Sequence, residues 1–182
     1  MEYYYTEEKN VQMLVYLMKA HGIKRVIASP GTTNVTLVAS IQQDPYFEIY
    51  SAADERSAAY MACGLAAESG EPVALSCTGA TASRNYVPGL TEAFYRKLPV
   101  LAITSTQHTG RIGQLCPQVI DRSVIQKDIA VMSVQIPLIH SEEDEWDCNV
   151  KLNTALLALS HRGGGPVHIN LTTNYTRAFD IK

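Results

Sequence analysis

Two nearly unbroken apolar runs constrain this chain most: Pro72-Val73-Ala74-Leu75-Ser76-Cys77-Thr78 and Pro99-Val100-Leu101-Ala102-Ile103-Thr104. A strand with one wet face alternates apolar and polar residues, whereas a strand covered on both faces has no such need. Strands of that kind belong to parallel sheets, where each connection must cross over the sheet, usually as a helix. The rest of the sequence supplies those crossovers. Strand-like segments also occur at Arg25–Ser29, Phe47–Ala52, Ala130–Val134 and Pro166–Leu171. Between them lie helical patterns. Thr6 is expected to cap a helix that carries Val11, Leu14, Val15, Leu17 and Met18 and stops at His21-Gly22. Others run through Val35, Leu37, Val38 and Ile41, from Arg56 to Ala67, and from the Gly79–Asn85 turn to Arg96-Lys97. A last helix spans Glu142 to His161 and is closed by Gly163-Gly164-Gly165. Six strands alternating with helices imply one domain over residues 1–182: an α/β, doubly wound, six-stranded, mainly parallel sheet with helices on both faces.

Composition narrows the function. The 182 residues carry a net charge of −3 with both signs dispersed, so no basic stripe points to nucleic acid. Cys63, Cys77, Cys116 and Cys148 form no C-x-x-C pair, and Cys63 and Cys77 sit in apolar surroundings as buried reduced thiols would. No apolar run approaches the roughly 20 residues that span a bilayer. These features place the expectation on a soluble, cytoplasmic protein away from membranes. The five histidines are dispersed without metal-ligand spacing; His168, in a strand, reads as structural, and His108 lies in a loop of the expected site. G-x-G-x-x-G, G-x-x-x-x-G-K-[ST] and G-x-S-x-G are all absent, which removes the usual fingerprints of dinucleotide, P-loop and α/β-hydrolase sites.

In a parallel sheet the loops after the strands share one edge, and ligand sites form there. The loops are Ser29-Pro30-Gly31-Thr32-Thr33-Asn34, Ala53-Asp54-Glu55, Thr78-Gly79-Ala80-Thr81 and the stretch from Ser105 to Asp121. Glu55 stands out because it opens an Ala-rich helix at that edge. Acidic residues also favour a helix start for electrostatic reasons alone, and Asp54 is the expected N-cap. Local pattern leaves both readings of Glu55 open.

Several motifs in order resemble one family. Ser29-Pro30-Gly31, Asp54-Glu55-Arg56, Thr78-Gly79-Ala80-Thr81 with Asn85 and Pro88, and Gly165-Pro166-Val167-His168-Ile169-Asn170-Leu171 resemble the N-terminal pyrimidine-binding domain of thiamine-diphosphate-dependent enzymes. The similarity runs from about Thr6 to Leu171 and looks closest to the acetolactate synthase and SEPHCHC synthase branch. It implies the thiamine-diphosphate-binding fold and an enzyme, a lyase or transferase, incomplete in this chain alone. It also implies a catalytic role for Glu55, hydrogen-bonded to N1′ of the aminopyrimidine so that the ring's exocyclic nitrogen can take the C2 proton. Pro30, Gly31, Thr78, Gly79, Thr81 and Asn85 are implied to line the cofactor, and Thr32, Thr33 and Gln118 the substrate pocket. SEPHCHC synthases carry Ser-Pro-Gly-Ser-Arg-Ser where this chain has Ser29-Pro30-Gly31-Thr32-Thr33-Asn34, so the substrate-gripping arginine is replaced by Thr33.

The family holds the diphosphate through Mg²⁺ in another domain marked by Gly-Asp-Gly, which this sequence lacks; no metal ligand is expected here. The implied partners are a small 2-keto acid, a diphosphate-binding domain in the same longer protein or a second subunit, and another copy in a homodimer or higher oligomer. A two-subunit sulfopyruvate or phosphonopyruvate-type decarboxylase is the alternative within the family. A non-catalytic α/β nucleotide-binding module, similar to the NADP domain of transhydrogenase-type proteins, is the alternative outside it. Arg84 and Arg111 are open to either an anionic substrate or solvent.

Overall fold

The computed structural model describes residues 4–176 and 178–182. Helix α1 (Lys9–Ala20) leads into strand β1 (Arg25–Ala28), a 3-10 turn (Thr32–Asn34), α2 (Val35–Gln43) and β2 (Glu48–Ser51). Then come α3 (Glu55–Ser69), β3 (Val73–Thr78), α4 (Ala82–Asn85), α5 (Val87–Arg96) and β4 (Val100–Thr106). After a long loop follow β5 (Met132–Ile136), α6 (Glu142–Ala158) and β6 (Val167–Thr172). The six strands form one sheet in the order β2-β1-β3-β4-β6-β5, every pair parallel. The doubly wound architecture read from the sequence is what the chain adopts.

Both faces are covered, which is why the central strands do not alternate. Val26, Ala74, Leu101, Ile103, Val167 and Ile169 pack with the apolar sides of α1, α2 and α6. Their neighbours Ile27, Val73, Leu75, Val100 and Ala102 pack on the other face with Ala58, Ala59, Ala62 and Ala66 of α3 and Leu90 and Ala93 of α5. Small residues on α3 let α5 come close: a Cβ at Gly89 would lie 2.4 Å from the Ala59 Cβ.

Four expectations need correction. Thr6 does not cap α1. The N-cap position is Glu8, whose carboxylate accepts the Asn174 and Thr176 N–H groups at 3.0 and 3.2 Å, while Thr6 N–H binds Ser40 Oγ at 3.1 Å. The helix before Arg96 is two pieces joined at Tyr86, because Pro88 at its start has no N–H to continue the ladder. β5 begins two residues late, because Met132 aligns with Val167 while Val131 N–H is taken by the Pro166 carbonyl at 2.8 Å. Helix α6 ends at Ala158, short of His161, and a separate 3-10 turn, His161–Gly163, runs into the glycines. Among the described residues no helix is long and apolar enough to cross a membrane.

Candidate functional site

All strands run the same way, so the loops after β1, β2, β3 and β4 emerge along one edge. The sheet order reverses between β1 and β3, the switch point where such sheets leave a crevice. Backbone and side-chain bonds stitch the strand ends together there. Asn34 Nδ2 donates to the Ser29 carbonyl and Ser76 Oγ at 3.2 and 3.1 Å, and its Oδ1 receives Gly31 N–H at 2.7 Å. Thr33 Oγ1 donates to the Ser105 carbonyl at 2.8 Å, and its own carbonyl receives the Thr173 hydroxyl at 2.6 Å. Thr33 is fully buried. Thr33 serves the fold: its hydroxyl ties the loop after β1 to β4 and its carbonyl ties it to the end of β6, while Thr32 beside it is exposed.

Gly31 and Thr78 are in closest approach. Gly31 has extended backbone, φ −164°, which any residue adopts; its need is for space, because a Cβ would overlap Thr78 Cγ2. Gly79 is equally confined. A Cβ there would lie 2.5 Å from the Ser105 carbonyl and 2.7 Å from an Arg122 nitrogen. Pro30 and Thr81 are exposed, and Thr81 caps no helix N–H with its side chain.

Asp54 fills the N-cap position of α3, its carboxylate accepting Ser57 N–H at 2.7 Å. That bond discharges the capping role and leaves Glu55, the first residue of the helix, free of it. Glu55 is half-buried and faces α4, where Asn85 Nδ2 donates to its Oε2 at 3.3 Å. Oε1 has no hydrogen-bond partner among the described residues. Behind this pair lies Tyr86, fully buried, its hydroxyl turned toward Cys77 and Ser29 without a bond of ordinary geometry to either. Ser29 Oγ and Ser105 Oγ are likewise buried without hydrogen-bond partners among the described residues. Burial, reinforced by the Cys77 thiol and the Glu55 carboxylate, pushes the Tyr86 hydroxyl well above its usual value. Burial pushes Cys77 up to about 12, so the thiol is inert.

Thus Glu55 and Asn85 meet, and Gly31 and Thr78 meet. Gln118 stands exposed on the long loop with φ +61°, a left-handed conformation uncommon outside glycine that concentrates at functional sites. Arg84 is committed to the Asp121 carbonyl at 2.9 Å, and Arg111 to Gln107 Oε1. His108 accepts Gly110 N–H at Nδ1 and closes a 3-10 turn. His168 is a satisfied structural residue between Thr104 and Ser133, both at 2.8 Å, and burial followed by the charge of Arg122 pushes it down to about 3. Two grooves of about 550 and 520 Å³ lie elsewhere, beside α1 and beside the end of α6, and neither is lined by Glu55.

One residue escaped the sequence reading. Arg122 is buried at the base of the long loop and bonds Asn170 of β6. The legible signal is on β6, where His168, Asn170 and Thr172 put three polar side chains on one face of an otherwise apolar strand. Among the described residues no group of three His, Cys, Asp or Glu side chains could hold a metal ion.

Comparison with known proteins accords with this geometry. Residues 9–133, more than half of the chain, match the family described as thiamine pyrophosphate enzyme, N-terminal TPP binding domain. The chain is 41% identical over 167 residues to a 2-succinyl-5-enolpyruvyl-6-hydroxy-3-cyclohexene-1-carboxylate synthase of Bacteroides fragilis, covering 92% of this chain and 30% of that protein. Proteins of the same name from Porphyromonas gingivalis and Desulfotalea psychrophila are 37% and 31% identical, over 92% and 90% of this chain and 29% and 31% of theirs. The chain therefore spans about 30% of the length of these relatives. Their shared name is SEPHCHC synthase and not acetolactate synthase, which narrows the branch that the motifs resembled.

Proposed function

The chain belongs to the thiamine pyrophosphate enzymes, as their N-terminal TPP-binding domain, and on that premise we propose that Glu55 handles the aminopyrimidine proton in a thiamine-diphosphate-dependent 2-keto acid decarboxylase or carboligase. One observation carries the reading. Glu55 is a half-buried carboxylate on a rigid helix start, with one oxygen held by Asn85 and the other unengaged. A ring nitrogen needs such a partner: fixed, partly desolvated and able to share a proton. Bound there, thiamine diphosphate supplies the electron sink for loss of CO₂ from a keto acid.

The chain's own residues do the rest. Asn85 orients the carboxylate by donating to Oε2. Pro30, Gly31, Thr78, Gly79 and Thr81 shape the wall beside it, with Gly31 allowing the β1 and β3 loops to meet. Thr32 and Gln118 offer the exposed polar groups of the substrate pocket, and Thr33 fixes the loop that presents Thr32. Mg²⁺ and the diphosphate are assigned to a separate diphosphate-binding domain, in the same longer protein or in a second subunit. A homodimer would bring that domain of one protomer to this edge of another.

Thr33, where the resemblance implied an arginine for a substrate carboxylate, favours a second reading of the substrate. On that reading the chain is the pyrimidine-binding subunit of a sulfopyruvate or phosphonopyruvate-type decarboxylase. Both readings share the Glu55 step. Its test is Glu55→Gln in the chain combined with its diphosphate-binding domain, thiamine diphosphate and Mg²⁺, reading C2–H exchange of the cofactor by NMR. The rate is expected to fall by about 100-fold or more; an unchanged rate removes the assignment.

A further inference from the structure

Arg122 is 3% exposed, and its partners are neutral: Nε at 3.1 Å and Nη2 both donate to Asn170 Oδ1, and Nη1 donates to Ser83 Oγ at 3.4 Å. Among the described residues no carboxylate pairs with it. A buried guanidinium without a counter-charge is costly and persists only where its surroundings repeatedly define its place. Here they do. The planar group lies against Gly79, where even a methyl group would stand 2.7 and 2.8 Å from its two terminal nitrogens. Asn170 is held in turn by Gln135 of β5.

The loop around Arg122 is fastened at neighbouring points. Arg84 of α4 reaches the carbonyl of Asp121, one residue before it, at 2.9 Å. Gln107 Nε2, at the loop's start, donates to the Pro117 carbonyl at 3.2 Å. Between these two anchors sits Gln118, its backbone in the left-handed region.

We infer that Arg122 is a positioning residue: its buried guanidinium, admitted by the bare Gly79, clamps the loop between β4 and β5 onto α4 and β6 and so sets where Gln118 stands on the carboxyl edge. The clamp itself is a property of this chain; only its consequence for substrate rests on the proposed role of Gln118.

Two measurements test it. In the chain as it stands, Arg122→Gln is expected to raise hydrogen exchange over residues 108–121 by about tenfold while β3 and β4 keep their protection. Ser83→Ala, which removes one of the guanidinium's bonds together with the hydroxyl's own bonds to the Gly79 and Ala80 carbonyls and leaves the guanidinium in place, is expected to raise it less, and this variant carries the test if Arg122→Gln does not fold. Loop protection equal to the unaltered chain in both variants would overturn the clamp. In the chain combined with its diphosphate-binding domain, Gln118→Ala and Arg122→Gln are each expected to raise KM for the keto acid severalfold with kcat little changed. Together they should raise it no further than either alone. Multiplying KM effects, or a fall confined to kcat, would overturn the link to Gln118. A loosened loop in a chain whose Glu55→Gln variant keeps full C2–H exchange would leave the clamp standing and remove the proposed function instead.

Discussion

Asn85 Nδ2 lies 3.3 Å from Glu55 Oε2, so the short helix after β3 holds the carboxylate that begins the helix after β2. Neither residue alone makes a site. The pair fixes one carboxylate oxygen and leaves the other without a partner among the described residues.

Asn85→Ala is expected to slow C2–H exchange of thiamine diphosphate by about tenfold, the loss of one hydrogen bond to a charged acceptor. The thermal midpoint of the chain should move little, since the bond is only part-buried. Exchange NMR beside a calorimetric melt checks both. A rate equal to the unaltered protein would mean that Glu55 needs no such orientation.

Gly31→Ala is expected to cost about 1–3 kcal/mol, because the added methyl must displace Thr78 Cγ2 in a packed loop. Thr78→Ser removes that methyl and should restore most of the loss in the double variant. Urea titrations of the three variants form the cycle. Absence of rescue would show that the loops meet differently.

Asp44 should contribute to the acid limb of stability. Burial alone would raise its carboxyl, but Lys19 at 2.7 Å, the Tyr46 N–H at 2.9 Å and the Tyr5 hydroxyl at 2.8 Å outweigh that and hold it below the ordinary carboxylate range. A lowered folded value stabilises the fold above the unfolded value of about 3.9 and loses that contribution as the pH falls through the folded one. Glu8 has the opposite sign: burial, only partly offset by the Asn174 and Thr176 N–H groups, raises it, so its ionisation costs stability that acidification returns. Asp44→Asn should therefore lower stability at pH 7 by about 2 kcal/mol and flatten the decline below about pH 4. Urea melts at pH 3 and pH 7 measure the difference.

Tyr60 and Met61 leave 48% and 41% of their surface exposed on α3, near Gly64, whose Cα faces open space. If the proposed homodimer seats its second copy on this face, Tyr60→Glu with Met61→Glu should convert dimer to monomer at micromolar concentration with the fold intact. Sedimentation equilibrium reads this directly. A double variant that sediments like the unaltered chain would place the interface elsewhere.

Much of the architecture was legible because burial on both faces leaves a mark in sequence. Runs such as residues 73–77 and 100–103 are apolar at nearly every position, as a parallel strand covered on both faces tolerates. Asp54 was readable as a cap because its chemistry is local. Thr6 was misread for the complementary reason. Its N–H answers to Ser40, 34 residues away, and Glu8 answers to Asn174 and Thr176; no local pattern reports a partner that distant.

The sequence by itself determined the alternation of strands and helices, and with it the one edge on which Gly31, Glu55, Thr78 and the long loop must open, because these follow from periodicity and chain direction. Only the tertiary structure decided which side chains meet on that edge. It turned Asn85 to Glu55, drew Thr33 inward and buried Arg122 against Gly79 and Asn170. Those choices depend on strand order and close packing between segments far apart in the chain, where a gap of one methyl group decides which contact forms.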